Sequence, residues 1–137
     1  MAPQMIFVNL PVKDLGASRA FFEKLGYSFN PKFSDDTAAC LVISDTIFAM
    51  LLTEEKFRDF TAPGKEISDA TKATEVLIAL SAESREKADE LADAALAAGG
   101  TPAKEPMDMG FMYERSFTDL DGHHWEVFWM DPAAAQG

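Results

Sequence analysis

The same order of extended and helical segments occurs twice in this chain, and this duplication restricts the fold more than any other feature of the sequence. In residues 5–12, apolar side chains fall on both sides of a predicted strand. Asp14 is a candidate N-cap for an amphipathic helix, and Gly26 is a candidate C-terminal stop. Three further strands are then predicted, at 27–33, 37–44 and 46–53. The first stretch therefore has the order β-α-β-β-β.

This order returns after an irregular segment. Residues 75–80 predict a strand, Ser84 opens a helix, and Gly99 and Gly100 close it. Three extended segments follow, at 102–105, 111–118 and 123–130. The last two flank an Asp-Leu-Asp-Gly sequence that is typical of a hairpin turn. Sequence identity between the two copies is low, so the repeat is one of element order and hydrophobic pattern.

The duplication predicts an α+β fold in a single domain over residues 1–137. The first module covers about residues 5–53 and the second about 75–131. The residues between them, about 54–74, are polar and irregular. They predict a linker with one helical turn near 54–60.

The charge of the chain excludes several classes of partner. Lys and Arg total 12 against 23 Asp and Glu, and no basic run is present. Nucleic acid and anionic membrane surfaces are therefore poor partners. No apolar run reaches the length of a membrane span, and the N-terminal residues lack the basic start of a secretory signal, which favours a cytoplasmic location. Cys40, the single cysteine, lies in an apolar stretch where a buried, inert thiol is expected.

Strand periodicity groups the candidate site residues. On the first strand, Phe7 and Asn9 share a face, and Asn9 is either a satisfied core amide or a ligand contact. On the last strand, His124, Glu126 and Phe128 share a face. The His-x-Glu pair offers a metal ion only two adjacent donors, which do not complete a coordination sphere.

Tyr113 and Arg115 lie two residues apart and also share a face. If this face lines an apolar cavity, the phenol and the guanidinium would fix a polar ligand there. The alternative is that this face is exposed to solvent. Two roles are open for Glu126. It is either a partly desolvated carboxylate that serves as hydrogen-bond partner or general base, or one half of a structural ion pair with Arg115.

Two motifs resemble those of the vicinal oxygen chelate superfamily, which includes glyoxalase I, bleomycin-resistance proteins and extradiol dioxygenases. The first copy contains Val-Lys-Asp-Leu at 12–15, Ser18, Phe-Phe at 21–22 and Leu-Gly-Tyr at 25–27. The second contains Phe-Thr-Asp-Leu-Asp-Gly-His-His-Trp-Glu at 117–126. The resemblance extends over about residues 6–130.

This resemblance implies two βαβββ modules whose mixed sheets curl around a cup, the glyoxalase/bleomycin-resistance/dihydroxybiphenyl dioxygenase-like fold, commonly in a homodimer. In the enzymes of the superfamily, a divalent metal is held at matching places on the first and last strands of each module. Those positions fall here at Phe7, Met50, Leu77 and Glu126, with Ala49 as the alternative to Met50. Only Glu126 can coordinate such a metal, and one carboxylate is too few. We therefore expect neither a metal site nor a cofactor.

We expect a metal-independent, glyoxalase/bleomycin-resistance-like protein that binds a small, partly hydrophobic molecule in the cup between its modules. The expected contacts are Phe7, Asn9, Met50, Leu77, Tyr113, Arg115, His124 and Phe128. One alternative is a glyoxalase-like lyase or isomerase in which Glu126 is the catalytic acid or base, with or without a divalent metal. A second alternative is a dimeric interaction module whose cup is filled by side chains. The sequence leaves open whether the chain is an enzyme.

Overall fold

Each of two units of the chain contains one mixed β-sheet, which confirms the predicted α+β class. The computed structural model describes residues 3–135. The first unit extends to Ser68, and the second begins at Asp69. Within the described residues, no helix has the length and apolar character that a bilayer crossing requires.

The first unit folds in the predicted order and adds a helix. Its elements are β1 (Ile6–Val12), α1 (Leu15–Lys24), β2 (Ser28–Asn30), β3 (Ala38–Val42), β4 (Ile47–Thr53) and α2 (Glu54–Phe60). The sheet has the order β1-β4-β3-β2, in which β1 and β4 are parallel and the other pairs are antiparallel. β2 is shorter than predicted because Pro31 begins a 3-10 turn, which Asn30 caps by accepting a hydrogen bond from Lys32 N at 2.9 Å. α2 is the helical turn predicted near 54–60.

The second unit repeats this order with one more strand. Its elements are β5 (Leu77–Ser81), α3 (Arg85–Ala97), β6 (Thr101–Pro102), β7 (Met107–Asp108), β8 (Met112–Thr118), β9 (His124–Met130) and α4 (Pro132–Ala135). The sheet has the order β5-β9-β8-β6, with β5 parallel to β9, and β7 also pairs with β8. The prediction of one strand at 102–105 is wrong, since β6 and β7 are two short strands on either side of residues 103–106. Pro102 and Pro106 have no N–H to donate, which limits pairing with β8.

The predicted ends of the two long helices are confirmed. Asp14 Oδ1 accepts a hydrogen bond from Ala17 N at 3.0 Å, and Ser84 Oγ accepts one from Lys87 N at 3.1 Å. Gly26 follows α1 with a φ of +102°, a conformation that residues with a Cβ rarely adopt. Local sequence therefore sets where these helices begin and where α1 ends.

Each long helix packs on its own sheet. α1 packs on β3 and β4, and α3 packs on β8 and β9. The buried apolar side chains include Val12, Phe21, Phe22, Leu41 and Leu51 in the first unit and Ala88, Ala92, Ala95, Phe117, Trp125 and Val127 in the second. Cys40 is fully buried as predicted, and burial raises the pKa of its thiol. In both units, the apolar side of the helix thus packs against the apolar side of the sheet.

Candidate functional site

One face of the second sheet carries the site residues predicted on β9. His124, Glu126 and Phe128 lie on this face, as their two-residue spacing predicts. The register of β9 with β5 and β8 sets further side chains beside them. These neighbours are Leu77, Ala79, Ser81, Met112, Glu114, Ser116 and Thr118. We call the surface formed by all these residues the Glu126 face.

His124 and Glu126 form a largely buried polar pair on the Glu126 face. His124 Nε2 lies 3.1 Å from Glu126 Oε2, and the two side chains are only 12% and 15% exposed. Leu77, on the neighbouring strand, is 58% exposed, while Phe128 is partly buried. The pair therefore lies beside apolar side chains on this face.

Glu114 is a third titratable residue on the Glu126 face, and it was not among the site residues predicted from the sequence. Its carboxyl group lies close enough to that of Glu126 for the negative charge of Glu126 to act on it. Burial and the negative charge of Glu126 raise the pKa of Glu114, while Lys104 and His124 act in the opposite direction. The hairpin register would have revealed this neighbour, since a turn over 119–122 sets β8 antiparallel to β9 with Glu114 opposite Phe128.

Tyr113 and Arg115 share a face, as predicted, but it is the opposite face of the sheet from Glu126. Arg115 is the register partner of Val127, whose side chain lies on the helix-covered side. The Tyr113 hydroxyl donates a hydrogen bond to Asp89 Oδ1 at 2.6 Å. Arg115 donates to Asp89 Oδ1 at 2.7 Å and to Asp93 Oδ1 at 2.8 Å. Of the two roles left open for Glu126, the ion pair with Arg115 is therefore wrong, because the sheet itself separates the two side chains.

These contacts join β8 to α3 and keep the network charged. Hydrogen bonds from Tyr113 and Arg115 lower the pKa of Asp89. The hydrogen bond to Asp89 in turn raises the pKa of Tyr113. Burial opposes the charge of Arg115, but its hydrogen bonds to Asp93 and Asp89 outweigh burial and raise its pKa. The Tyr113 hydroxyl and the Arg115 guanidinium are thus both hydrogen-bonded to side chains of α3.

The first sheet has an aromatic pair where the second has its polar pair. Phe7 and Phe48 are register partners on β1 and β4, and their rings stack with centroids 4.7 Å apart and an interplanar angle of 11°. Asn9, the next residue on that face, is exposed, and its Nδ2 donates to Phe7 O at 3.2 Å. The core-amide interpretation of Asn9 is therefore wrong.

The register relates Met50 to Glu126. Asn9 pairs with Met50 across β1 and β4, just as Ala79 pairs with Glu126 across β5 and β9. Ala49, the alternative to Met50, is buried and lies on the other face of its strand. Met50 therefore occupies the position in the first unit that corresponds to Glu126 in the second.

The donor set at these positions does not fit the divalent metal of the superfamily's enzymes. Phe7 and Leu77 have no donor atom, and Met50 offers only a thioether, which hard cations do not select. Over residues 3–135, no group of three or more His, Cys, Asp or Glu side chains is arranged to hold a metal ion. One carboxylate from Glu126 leaves most of a coordination sphere unfilled.

Comparison with known proteins agrees with the sequence motifs. Residues 4–44 match the sequence profile of the bleomycin resistance protein-like N-terminal family. A solved structure of a hypothetical protein from S. aureus is 29% identical and has a TM-score of 0.76, with 94% of each chain covered. No curated protein sequence matches this chain significantly.

Two further solved structures share the fold at lower identity. A glyoxalase/bleomycin resistance protein/dioxygenase family enzyme from Burkholderia phytofirmans is 19% identical, with a TM-score of 0.78 over 93% of this chain and 99% of that one. The fosfomycin resistance protein FosX from Listeria monocytogenes is 20% identical, with a TM-score of 0.65 over 94% of each chain. In the sequence of residues 4–44 and in its fold, this chain is therefore similar to glyoxalase/bleomycin-resistance proteins of the vicinal oxygen chelate superfamily.

Proposed function

We propose that this chain binds a small, partly hydrophobic molecule at the Glu126 face and does so without a metal ion. The observation that carries the proposal is the His124–Glu126 pair, whose polar atoms lie 3.1 Å apart on side chains that are mostly withdrawn from solvent. Ligand sites are typically apolar surfaces in which a few polar groups fix the orientation of the ligand. The Glu126 face combines the apolar side chains of Leu77, Met112 and Phe128 with this polar pair.

The polar contacts available to a ligand at this face are few and defined. Tyr113 and Arg115 are engaged with α3 on the other side of the sheet. Ser116 Oγ accepts a hydrogen bond from Lys104 N at 3.0 Å. His124, Glu126 and Glu114 are the titratable groups that would orient a ligand, while Leu77 and Phe128 would supply apolar contact.

Metal independence follows from the donor chemistry at the superfamily's metal positions. Glu126 is the one hard donor among those four positions, so a divalent ion would keep most of its water shell and bind weakly. The matched profile is named for bleomycin resistance, and one structural neighbour is named for fosfomycin resistance. Binding of an antibiotic-like small molecule is consistent with these names.

The test has two parts: to identify a ligand that stays bound through purification, and to measure whether Glu126 contributes to its binding. Protein purified without chelator would be examined by native mass spectrometry and by elemental analysis, and then screened by thermal shift against small aromatic and aliphatic compounds. We expect a ligand whose affinity falls about tenfold in Glu126→Gln, the loss of one charge-assisted hydrogen bond. Asp45→Gln, an exposed turn residue, is the matched control. A stoichiometric divalent ion lost on Glu126→Gln would contradict the proposal.

A second candidate function is a glyoxalase-like lyase or isomerase that uses Glu126 as its acid or base. The observation in its favour is that Glu114 lies near Glu126 and has a raised pKa, because a carboxyl group with a raised pKa beside a second carboxyl group is suited to proton transfer. In this case Glu126→Gln would abolish turnover and leave binding of the same substrate intact. Full turnover by that variant would exclude this mechanism.

A further inference from the structure

We propose that one end of the second sheet holds a soft monovalent metal ion, of the Cu(I) or Ag(I) type, on methionine thioethers. Four of the seven methionines of the chain lie in this part of the second unit, at positions 107, 109, 112 and 130. Thioether sulfur is polarizable and selects soft ions such as Cu(I). The inference does not rest on the proposed function, which concerns Glu126 and excludes a divalent ion.

Strand register brings three of these side chains into one row. Met112 pairs with Met130 across β8 and β9. On the other side of β8, Asp108 pairs with Tyr113, and Met109 N donates to Met112 O at 2.8 Å, so Met109 stands opposite Met112. Register partners project to the same face of a sheet with their Cβ atoms about 5 Å apart. We call Met109, Met112 and Met130 the thioether row.

Met107 lies on the same face, beside the thioether row. It precedes Met109 by two residues, and its register partner is Glu114. Diagonal neighbours on one face are about 7 Å apart, which unbranched methionine side chains can span. Three sulfur atoms can therefore reach one ion, with Met107 as a fourth ligand. The carboxylate of Glu114 is a hard donor, but its negative charge favours a cation nearby.

Hydrogen bonds hold the turn between β7 and β8 in place. Arg85 donates to both carboxylate oxygens of Asp108 at 2.8 and 3.0 Å and to Gly110 O at 2.9 Å. Phe111 O accepts from Asp131 N at 2.8 Å. Because this turn sets Met109 opposite Met112, the backbone of the site is assembled before an ion binds. The ordering cost of binding then falls mainly on the methionine side chains.

The thioether row is open to solvent and lies away from the polar pair of the Glu126 face. Met109 is 52% exposed and Met107 is 37% exposed, so packing in the core does not account for either side chain. Met112 and Met130 are partly buried. Met130 follows Glu126 by four residues, a separation of about 13 Å along β9. An ion can thus reach the thioethers without contact with the Glu126 carboxylate.

Ag(I) is the probe, because it is soft, monovalent and stable in air. Silver nitrate would be titrated in chloride-free buffer into the full chain, and the isotope-labelled methionine methyl groups would be followed by NMR. We expect saturable shifts at Met109, Met112 and Met130 and none at Met5, which is 53% exposed and serves as internal control. Zn(II) should leave all these signals unchanged. Shifts of equal size at Met5, the same shifts with Zn(II), or no saturation in the thioether row would overturn the proposal.

Leucine variants remove the sulfur and keep a side chain of similar size. Met112→Leu removes the central ligand and should weaken Ag(I) binding about tenfold, and Met109→Leu, at an exposed position, should weaken it about fivefold. Met5→Leu is the matched control and should have no effect. Wild-type affinity in both Met112→Leu and Met109→Leu would overturn the proposal.

Glu126→Gln distinguishes this inference from the proposed function. It should leave Ag(I) binding unchanged while it weakens the ligand of the His124–Glu126 pair. A loss of Ag(I) binding in Glu126→Gln as large as that in Met112→Leu would place the ion at the carboxylate and overturn the assignment to the thioethers.

Discussion

Trp125 Nε1 donates a hydrogen bond to Asp119 Oδ2 at 3.0 Å, and both side chains are buried. The other oxygen, Asp119 Oδ1, accepts from the backbone N–H groups of Asp121 and His123, each at 3.0 Å. Burial raises the pKa of Asp119, although these hydrogen bonds act to lower it. One carboxyl group thus ties the turn between β8 and β9 to the core, and the register of the Glu126 face depends on that turn.

Asp119→Asn should lower the free energy of unfolding by about 1–3 kcal/mol. The amide oxygen can still accept from the two backbone N–H groups, but the amide NH₂ then faces the Trp125 N–H, and two donors cannot bond. Chemical denaturation measures the effect, with the exposed Asp45→Asn as control. Equal stability of Asp119→Asn and the wild type would show that the Trp125 contact is not required.

Gly122→Ala should destabilise the second unit more than Gly110→Ala does. Both glycines have positive φ, +87° and +82°, so both substitutions strain the backbone. A Cβ at Gly122 would also lie 2.9 Å from the backbone of Ala70 and Thr71, whereas a Cβ at Gly110 meets nothing within 4 Å. We expect an excess loss of about 1–3 kcal/mol in Gly122→Ala. Similar unfolding midpoints for the two variants would contradict this.

Asp108 should contribute stability at neutral pH that is lost in strong acid. Arg85 hydrogen-bonds its carboxylate at 2.8 and 3.0 Å and lowers its pKa from 3.8 to about 2. Because the folded pKa is below the unfolded one, the contribution is complete above pH 3.8 and disappears as the pH falls through 2. NMR titration of the carboxyl group should show this pKa, and Arg85→Gln should raise it. A titration near the ordinary value in the wild type would refute the pairing.

Arg115 and Glu126 should contribute independently to stability, because they lie on opposite faces of the sheet. A double-mutant cycle with Arg115→Gln and Glu126→Gln should give a coupling of less than about 0.5 kcal/mol. The cycle of Arg115→Gln with Asp89→Asn should give about 0.5–1.5 kcal/mol, since those side chains are 2.7 Å apart at a partly exposed position. A larger coupling with Glu126 than with Asp89 would reverse the assignment of faces.

Prediction from sequence succeeded where the signal is local. Asp14 and Ser84 cap their helices through side-chain oxygens three residues from the N–H that they bind, so their role is visible in the sequence. The two-residue spacing of His124 and Glu126 likewise sufficed to bring them together. Prediction failed at residues 102–105, where pairing depends on N–H groups that two prolines lack.

The candidate site was less predictable because it depends on pairing between strands. Alternation along β8 groups Tyr113 with Arg115, but it does not say which side faces α3. Glu114 therefore escaped notice, although it lies next to Glu126.

The sequence by itself determined the order of elements, the helix ends, the residues that share a strand face and the absence of hard metal donors at Phe7, Met50 and Leu77. These properties follow from local periodicity and from side-chain chemistry. Only the tertiary structure decided that Arg115 faces α3 while Glu126 lies on the opposite side. A shift of one residue in the pairing of β8 with β9 would exchange those faces, and that register is set by the turn at Asp119 and by packing of the sheet on α3.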